Sequence, residues 1–184
     1  FYKSIWMKRR KFIFGDEWLY IKVYSGPQAL ELILFSDLRP ILETLYSSNI
    51  ITKFYFVRYY DEEGYHIRLR FKLLNNEFFP TVTQKLNRFL REYIEDRVIE
   101  KVSIETYNRE IERYGSILID DIETLFSVNS WEIITLLSEK TDFEEKLIIG
   151  CKIIDALLNE FQISAHDKYR LYQDYYEDYL NEVG

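Results

Sequence analysis

The chain has 184 residues and a mass of 22.5 kDa, with 47% hydrophobic and 17% aromatic side chains, which is ample for a packed core and excludes intrinsic disorder. A formal net charge of −7 argues against a general nucleic-acid coat, and the single cysteine, Cys151, excludes an internal disulfide. No apolar run reaches the roughly 18 residues of a membrane helix, so no membrane insertion is expected.

Taken in chain order, Lys8-Arg9-Arg10-Lys11 is followed by only a few apolar residues before Gly15-Asp16-Glu17. That is not a secretory signal, and a cytoplasmic location is expected. The run Trp18-Leu19-Tyr20-Ile21-Lys22-Val23-Tyr24 is rich in aromatic and β-branched residues and is closed by Ser25-Gly26-Pro27, which predicts a strand and a turn. Residues 29–46 carry helical apolar spacing, with a fresh helix start near Asp37 because Pro40 suits a first turn. A β-hairpin is the strongest local signal. Residues 53–60 form one arm, Asp61-Glu62-Glu63-Gly64 the turn, and residues 65–72 the other arm. In the second arm Ile67, Leu69 and Phe71 alternate with His66, Arg68, Arg70 and Lys72, so the two sets face opposite sides of a sheet.

Pro80 opens a helix that runs to about Ile94, and residues 98–107 return to strand alternation, with Val102, Ile104 and Thr106 opposed to Ser103, Glu105 and Tyr107. Helical periodicity then dominates over residues 117–126, 131–137, 143–161 and 167–180. Asn129-Ser130 and Thr141-Asp142 read as helix starts. Cys151, inside the apolar run 147–158, reads as a buried thiol, and His166 as a surface residue near a helix start. The order strand, helix, hairpin, helix, strand, then helices predicts a single α+β domain over residues 1–184. A mostly antiparallel, ferredoxin-like sheet is covered by helices and followed by a helical C-terminal extension.

Basic residues concentrate between Lys3 and Lys11 and between Arg58 and Lys72, against an acidic background. Arg68 and Arg70 lie about 7 Å apart along one strand face, and a guanidinium grips a carboxylate by two parallel bonds, so the pair suits a carboxylate or phosphate clamp. The plain alternative is a solvated face with the long stems lying along the sheet. A second cluster, Glu105-Thr106-Tyr107-Asn108-Arg109-Glu110-Ile111-Glu112-Arg113-Tyr114-Gly115, begins where strand periodicity ends. A short helical turn there puts Glu110 beside Arg113, and Arg109 beside Arg113; an ordinary surface ion-pair network closed by a glycine cap is the competing reading. Only His66 and His166 exist, with no metal-ligand spacing, and no phosphate-loop or nucleophile-elbow motif is present. Neither a metal nor an organic cofactor is expected, and His66 reads as an acid/base or anion-contact residue.

The stretch from Phe56 to Phe71 resembles a family pattern of an aromatic pair, Arg-Tyr, a short acidic turn and His-(Ile/Leu)-Arg-(Leu/Ile)-Arg. The stretch from Thr106 to Gly115 resembles the same family's Tyr-x-(Pro/Arg)-Glu-x-x-Arg-Tyr-Gly block. The family is the C-terminal domain of class I lantibiotic dehydratases, also described as thiopeptide-type bacteriocin biosynthesis proteins, and the likeness extends over residues 18–161. It implies β-elimination of glutamate from glutamylated Ser or Thr residues of a ribosomally made precursor peptide, giving dehydroalanine or dehydrobutyrine. It also implies Arg68, Arg70, Glu110 and Arg113 as functional residues, with His66 beside them. A separate or fused glutamylation domain is the expected partner, direct nucleic-acid binding is not expected, and a homodimer is left open. The related pyridine-forming cycloaddition on a dehydrated precursor, and a non-catalytic peptide-binding or complex-forming relative, are the alternatives. In one respect the chain departs from the pattern. The family's His-Met-x-x-Asn-Arg segment, whose histidine takes part in proton transfer, has no match after Phe161. A missing C-terminal segment, a segment supplied by another chain, or an altered activity each accounts for that.

Overall fold

The computed structural model describes residues 8–137 and 142–183. Lys3, at the start of the first basic cluster, and Thr141 lie outside the described residues. In chain order the elements are β1 (Lys11–Phe12), β2 (Trp18–Ser25), α1 (Pro27–Leu32), a π-helical turn (Ile33–Asp37), α2 (Arg39–Ser47), β3 (Ile51–Asp61) and β4 (Gly64–Leu73). After a 3-10 turn (Asn76–Phe78) follow α3 (Phe79–Glu95), β5 (Ile99–Glu105), β6 (Tyr107–Asn108), α4 (Ile111–Tyr114), α5 (Ile119–Leu137), α6 (Phe143–Glu160) and α7 (Ala165–Val183). The chain divides into two compact units, residues 1–138 and 139–184.

In the first unit β2 to β5 form an antiparallel sheet in the order β3-β4-β2-β5, built from a β-α-β-β-α-β run. That is the ferredoxin-like arrangement expected from the sequence. The hairpin between β3 and β4 closes over Glu62-Glu63, with Asp61 opposite Gly64, and Gly64 takes φ +106°, a conformation that costs a side-chain-bearing residue dearly. Strand alternation then sorts the side chains into two layers. Leu19, Ile21, Val23, Phe54, Ile67, Leu69 and Phe71 face α1, α2 and α3, where Leu30, Leu42, Leu45, Val82, Leu86 and Leu90 complete the main core. On the opposite face Phe12, Trp18, Tyr20, Tyr55 and Tyr107 form a second, aromatic cluster.

Helix α5 runs along the outer strand β3, placing Ile134 in the main core and Phe126 against the aromatic cluster. Two expectations are corrected here. Residues 117–126 and 131–137 were expected to be separate helices, with a start at Asn129-Ser130, but α5 is continuous through them. The hydroxyls there serve the sheet instead: Ser127 Oγ accepts from the Phe54 N–H at 3.1 Å and Ser130 Oγ from the Phe56 N–H at 3.2 Å. These bonds occupy the backbone donors of a sheet edge that would otherwise be buried unpaired. The strand expected over 98–107 also stops at Glu105. Tyr107 and Asn108 leave the main sheet and pair with Phe12 and Lys11 of β1, a short strand that the sequence pattern did not disclose.

In the second unit α6 and α7 form a helical hairpin, the expected C-terminal extension. Asp142 caps α6 by accepting from the Glu145 N–H at 2.8 Å, and Ser164 caps α7 by accepting from the Asp167 N–H at 3.1 Å. Lys168 ties the two helices through Asp155 and Asn159, both at 2.6 Å. None of the described side chains of α6 and α7 is fully buried, so Cys151, expected as a buried thiol, is exposed instead. His166 is exposed at the start of α7, as read from the sequence. Among the described residues no helix is long and apolar enough to cross a membrane.

Candidate functional site

The site is built on the face of the sheet turned away from α1, α2 and α3. Register places Arg70 of β4 between Tyr20 of β2 and Tyr55 of β3, and His66 between Tyr24 and Tyr59. Arg68 lies between them, opposite Lys22 and Val57. The segment after β5 crosses over this face and brings Tyr107, Glu110, Arg113 and Tyr114 to it, while α5 contributes Ile119, Glu123 and Phe126. Together with Arg68, Arg70, Tyr55, Val57 and Tyr59 they line a pocket of 240 Å³. Four residues singled out in the sequence, Arg68, Arg70, Glu110 and Arg113, thus meet in one cavity although the two pairs lie about 40 residues apart in the chain.

Arg70 is enclosed by aromatic rings. Its guanidinium carbon lies 4.5 Å from the Tyr20 ring centre, 5.2 Å from that of Tyr55 and 5.4 Å from that of Tyr107. The π faces hold the cation, and its Nε is buried with no hydrogen-bond partner among the described residues. Arg68 is held differently, stacked at 3.5 Å over the Tyr59 ring centre, with Nε 3.1 Å from His66 Nε2 and its terminal nitrogen 3.9 Å from Asp61. At the exposed side of the pocket Arg113 and Glu110 pair at 3.6 Å on and before the short helix α4, as the i, i+3 spacing predicted. Gly115, at φ +77°, ends that helix.

The floor is a buried polar network that includes none of the four. Arg109 grips Glu123 through two bonds of 2.7 Å and reaches Asp120 at 2.9 Å. Tyr107 donates to Glu123 at 2.7 Å, and Tyr55 donates to Tyr107 at 2.7 Å. Burial alone would weaken the charge on Arg109, but the hydrogen bonds and charge of Glu123 outweigh it and pull the group above the ordinary arginine value. Burial, followed by the neighbouring Tyr55 and Glu123, pushes the Tyr107 phenol far above its usual range, and burial pushes Tyr55 up to about 12. Both phenols therefore stay protonated.

Two sequence readings change in this setting. Arg109 was expected beside Arg113 on one helical face, but it precedes α4 and turns into the interior, where Glu123 on α5 satisfies it. His66 does lie on the same face of β4 as the arginines, yet it is fully buried between the Tyr24 and Tyr59 rings, at 4.6 and 5.5 Å, and does not line the pocket of Arg68 and Arg70. Lys72 shares the face but is not part of the pocket lining, and Arg58 turns to the other side and pairs with Glu31 at 3.0 Å. The tyrosines and the Arg109–Glu123 pair were missed. Counting back from the hairpin turn puts Tyr55 opposite Arg70, so that much was available from the strand pattern. No short-range pattern links Arg109 to Glu123 across α4.

Comparison with known proteins gives this pocket a context. The family model described as the C-terminal part of the lantibiotic biosynthesis dehydratases matches residues 18–184, which includes every residue of the pocket. The chain belongs to this family. Among its relatives are the subtilin biosynthesis protein SpaB of Bacillus subtilis, 27% identical over 157 residues, and the nisin biosynthesis protein NisB of Lactococcus lactis subsp. lactis, 30% identical over 137 residues. These alignments take in 83% and 74% of this chain but only 15% and 13% of the two relatives, so the chain corresponds to a small part of each. Among solved structures, the tRNA-dependent lantibiotic dehydratase MibB of Microbispora sp. 107891 superposes with a TM-score of 0.59 at 27% identity, over 67% of this chain and 12% of that one. The family assignment expected from the two motif blocks is thereby established.

Proposed function

We propose that this domain removes glutamate from glutamylated Ser or Thr side chains of a precursor peptide, leaving dehydroalanine or dehydrobutyrine. The carrying observation is Arg70, a permanently charged side chain held among three tyrosine rings and lining the same pocket as Arg68 and Arg113. Such an arrangement suits a ligand that brings negative charge and acceptor oxygens. A glutamyl ester carries a free carboxylate and releases another one. In the reaction a base takes the α-proton of the acylated residue, and the Cα–H electron pair moves first onto the peptide carbonyl as an enolate and then into the Cα=Cβ bond. The Cβ–O bond breaks, and its electrons leave on the glutamate carboxylate. Negative charge thus builds first on the peptide carbonyl and then on the departing group. Fixed guanidinium groups in a partly buried pocket stabilise both without reorganising at the moment of reaction. The arginines remain protonated, so they bind and stabilise and do not take the α-proton.

The family assignment supports a role in modifying precursor peptides, and the related lantibiotic dehydratases make a glutamylation domain, fused or separate, the natural supplier of the substrate. The test is elimination from a synthetic peptide carrying one glutamyl-serine ester, comparing the wild-type chain with the Arg68→Ala, Arg70→Ala double variant. Removing one transition-state donor of this type lowers turnover by about 100- to 1,000-fold. Unchanged elimination in a folded double variant would refute the assignment of the arginine pair.

A further inference from the structure

We infer that His66 is the positioning residue for Arg68, working as a neutral hydrogen-bond acceptor and not as an acid or base toward the substrate. The inference rests on Arg68 being a substrate-binding residue, as proposed above, but its geometry stands on its own.

Arginine has only donors, so the 3.1 Å contact between Arg68 Nε and His66 Nε2 requires a lone pair on Nε2. The one proton of a neutral imidazole must then sit on Nδ1, and Nδ1 has its acceptor in place: the Gly64 carbonyl oxygen at 3.1 Å. Asp61 stands 3.8 Å from the same nitrogen and 3.9 Å from the Arg68 terminal nitrogen, reinforcing both orientations. A second proton on the ring would aim one donor at another and set two cations in contact. Both ring nitrogens are therefore committed within the protein, and the ring is buried between Tyr24 and Tyr59, outside the lining of the pocket that holds Arg68 and Arg70.

The consequence falls on Arg68. Its Nε is taken by His66 and its planar face by Tyr59 at 3.5 Å, which fixes the plane of the guanidinium where it lines the pocket, with one terminal nitrogen beside Asp61. An arginine that lost this anchor would keep its charge and lose its aim. The turn explains the sequence spacing: Gly64, which needs positive φ, presents its carbonyl to the ring two residues later, and the ring meets the arginine two residues after that.

Two measurements test this. Long-range nitrogen–proton NMR of the wild-type chain near neutral pH should show one histidine, His66, as the neutral tautomer protonated on Nδ1. A proton on Nε2, or a doubly protonated ring, overturns the inference whatever the catalytic result. The second is a double-mutant cycle on elimination from the glutamyl-ester peptide. A glutamine side chain places its amide oxygen near the position of Nε2, whereas an asparagine reaches only that of Nδ1. His66→Asn should lower the rate by on the order of 100-fold, the usual cost of a misplaced reacting group, and His66→Gln should recover most of it. In an Arg68→Ala background His66→Asn should have no further effect, because its action passes through the guanidinium. A full additional loss in that background contradicts the positioning role. Should the wild-type chain show no elimination at all, the proposed reaction falls, and the tautomer alone decides whether His66 holds Arg68.

Discussion

Replacement of Glu123 by alanine should be among the most destabilising single changes in the first unit. The carboxylate is 1% exposed, and it accepts two bonds from Arg109, itself 5% exposed, and one from Tyr107, all at 2.7 Å. Its removal leaves the Arg109 guanidinium with Asp120 as its remaining carboxylate, on the more exposed side, and leaves the Tyr107 hydroxyl without its acceptor. Breaking one partner of a buried pair costs about 3–5 kcal/mol, because the surviving charge stays out of water. With a urea m-value of about 2 kcal/mol/M, that loss lowers the midpoint of unfolding by roughly 2 M. The assay is urea unfolding followed by near-ultraviolet circular dichroism, which reports on the packed aromatic cluster around Trp18 and Tyr107. Arg109→Met combined with Glu123→Leu should recover more than half of the loss, since replacing both ions removes the unpaired charge. A midpoint shift below about 0.5 M for Glu123→Ala, with m unchanged, would refute the reasoning.

Three further outcomes follow from the same geometry. Ser127→Ala should cost about 1–3 kcal/mol, because the buried Phe54 N–H then loses its acceptor, and the more stabilising result of no change would show that water or a shifted helix replaces the hydroxyl. Alkali should unfold the protein early: the Tyr55 phenol is raised by burial to about 12 from 10.0, so its contribution is complete below pH 10 and is lost as pH climbs through 12. A phenolate absorbance titration in which the buried tyrosines ionise together with unfolding supports this, and a full titration of all tyrosines near pH 10 with the fold intact contradicts it. Arg70→Lys should bind the glutamyl-ester peptide at least tenfold more weakly, about 1.4 kcal/mol, despite the conserved charge, since an ammonium offers neither the planar stacking on Tyr20 and Tyr107 nor paired donors; equal affinity by calorimetry would count against the stacked geometry.

Much of this arrangement was legible in the chain because it depends on short periods. The alternation of Ile67, Leu69 and Phe71 with Arg68 and Arg70 decided which face each side chain takes, and the two-residue turn before Gly64 fixed the register. The Glu110–Arg113 neighbourhood followed from helical spacing. What escaped depends on how elements meet. Asn129-Ser130 carries the local chemistry of a helix start, but the tertiary demand of β3 for acceptors overrides it and keeps α5 whole. Cys151 lies in a run apolar enough for a core, yet its helix is one of a pair that encloses no interior. Arg109 looked like a surface charge because its partner, Glu123, comes from the next long helix and leaves no trace in the local pattern. His66 was placed on the correct face, but its burial was not legible, since that is set by Tyr24 and Tyr59 on the two neighbouring strands.

The most direct test of the account is mass spectrometry of a peptide carrying a single glutamyl-serine ester after incubation with the wild-type chain. The expected result is loss of one glutamic acid and formation of dehydroalanine, with the product absent when Arg68 and Arg70 are both replaced by alanine. An ester that persists unchanged, on a peptide shown to be bound in the pocket, would contradict elimination by this domain.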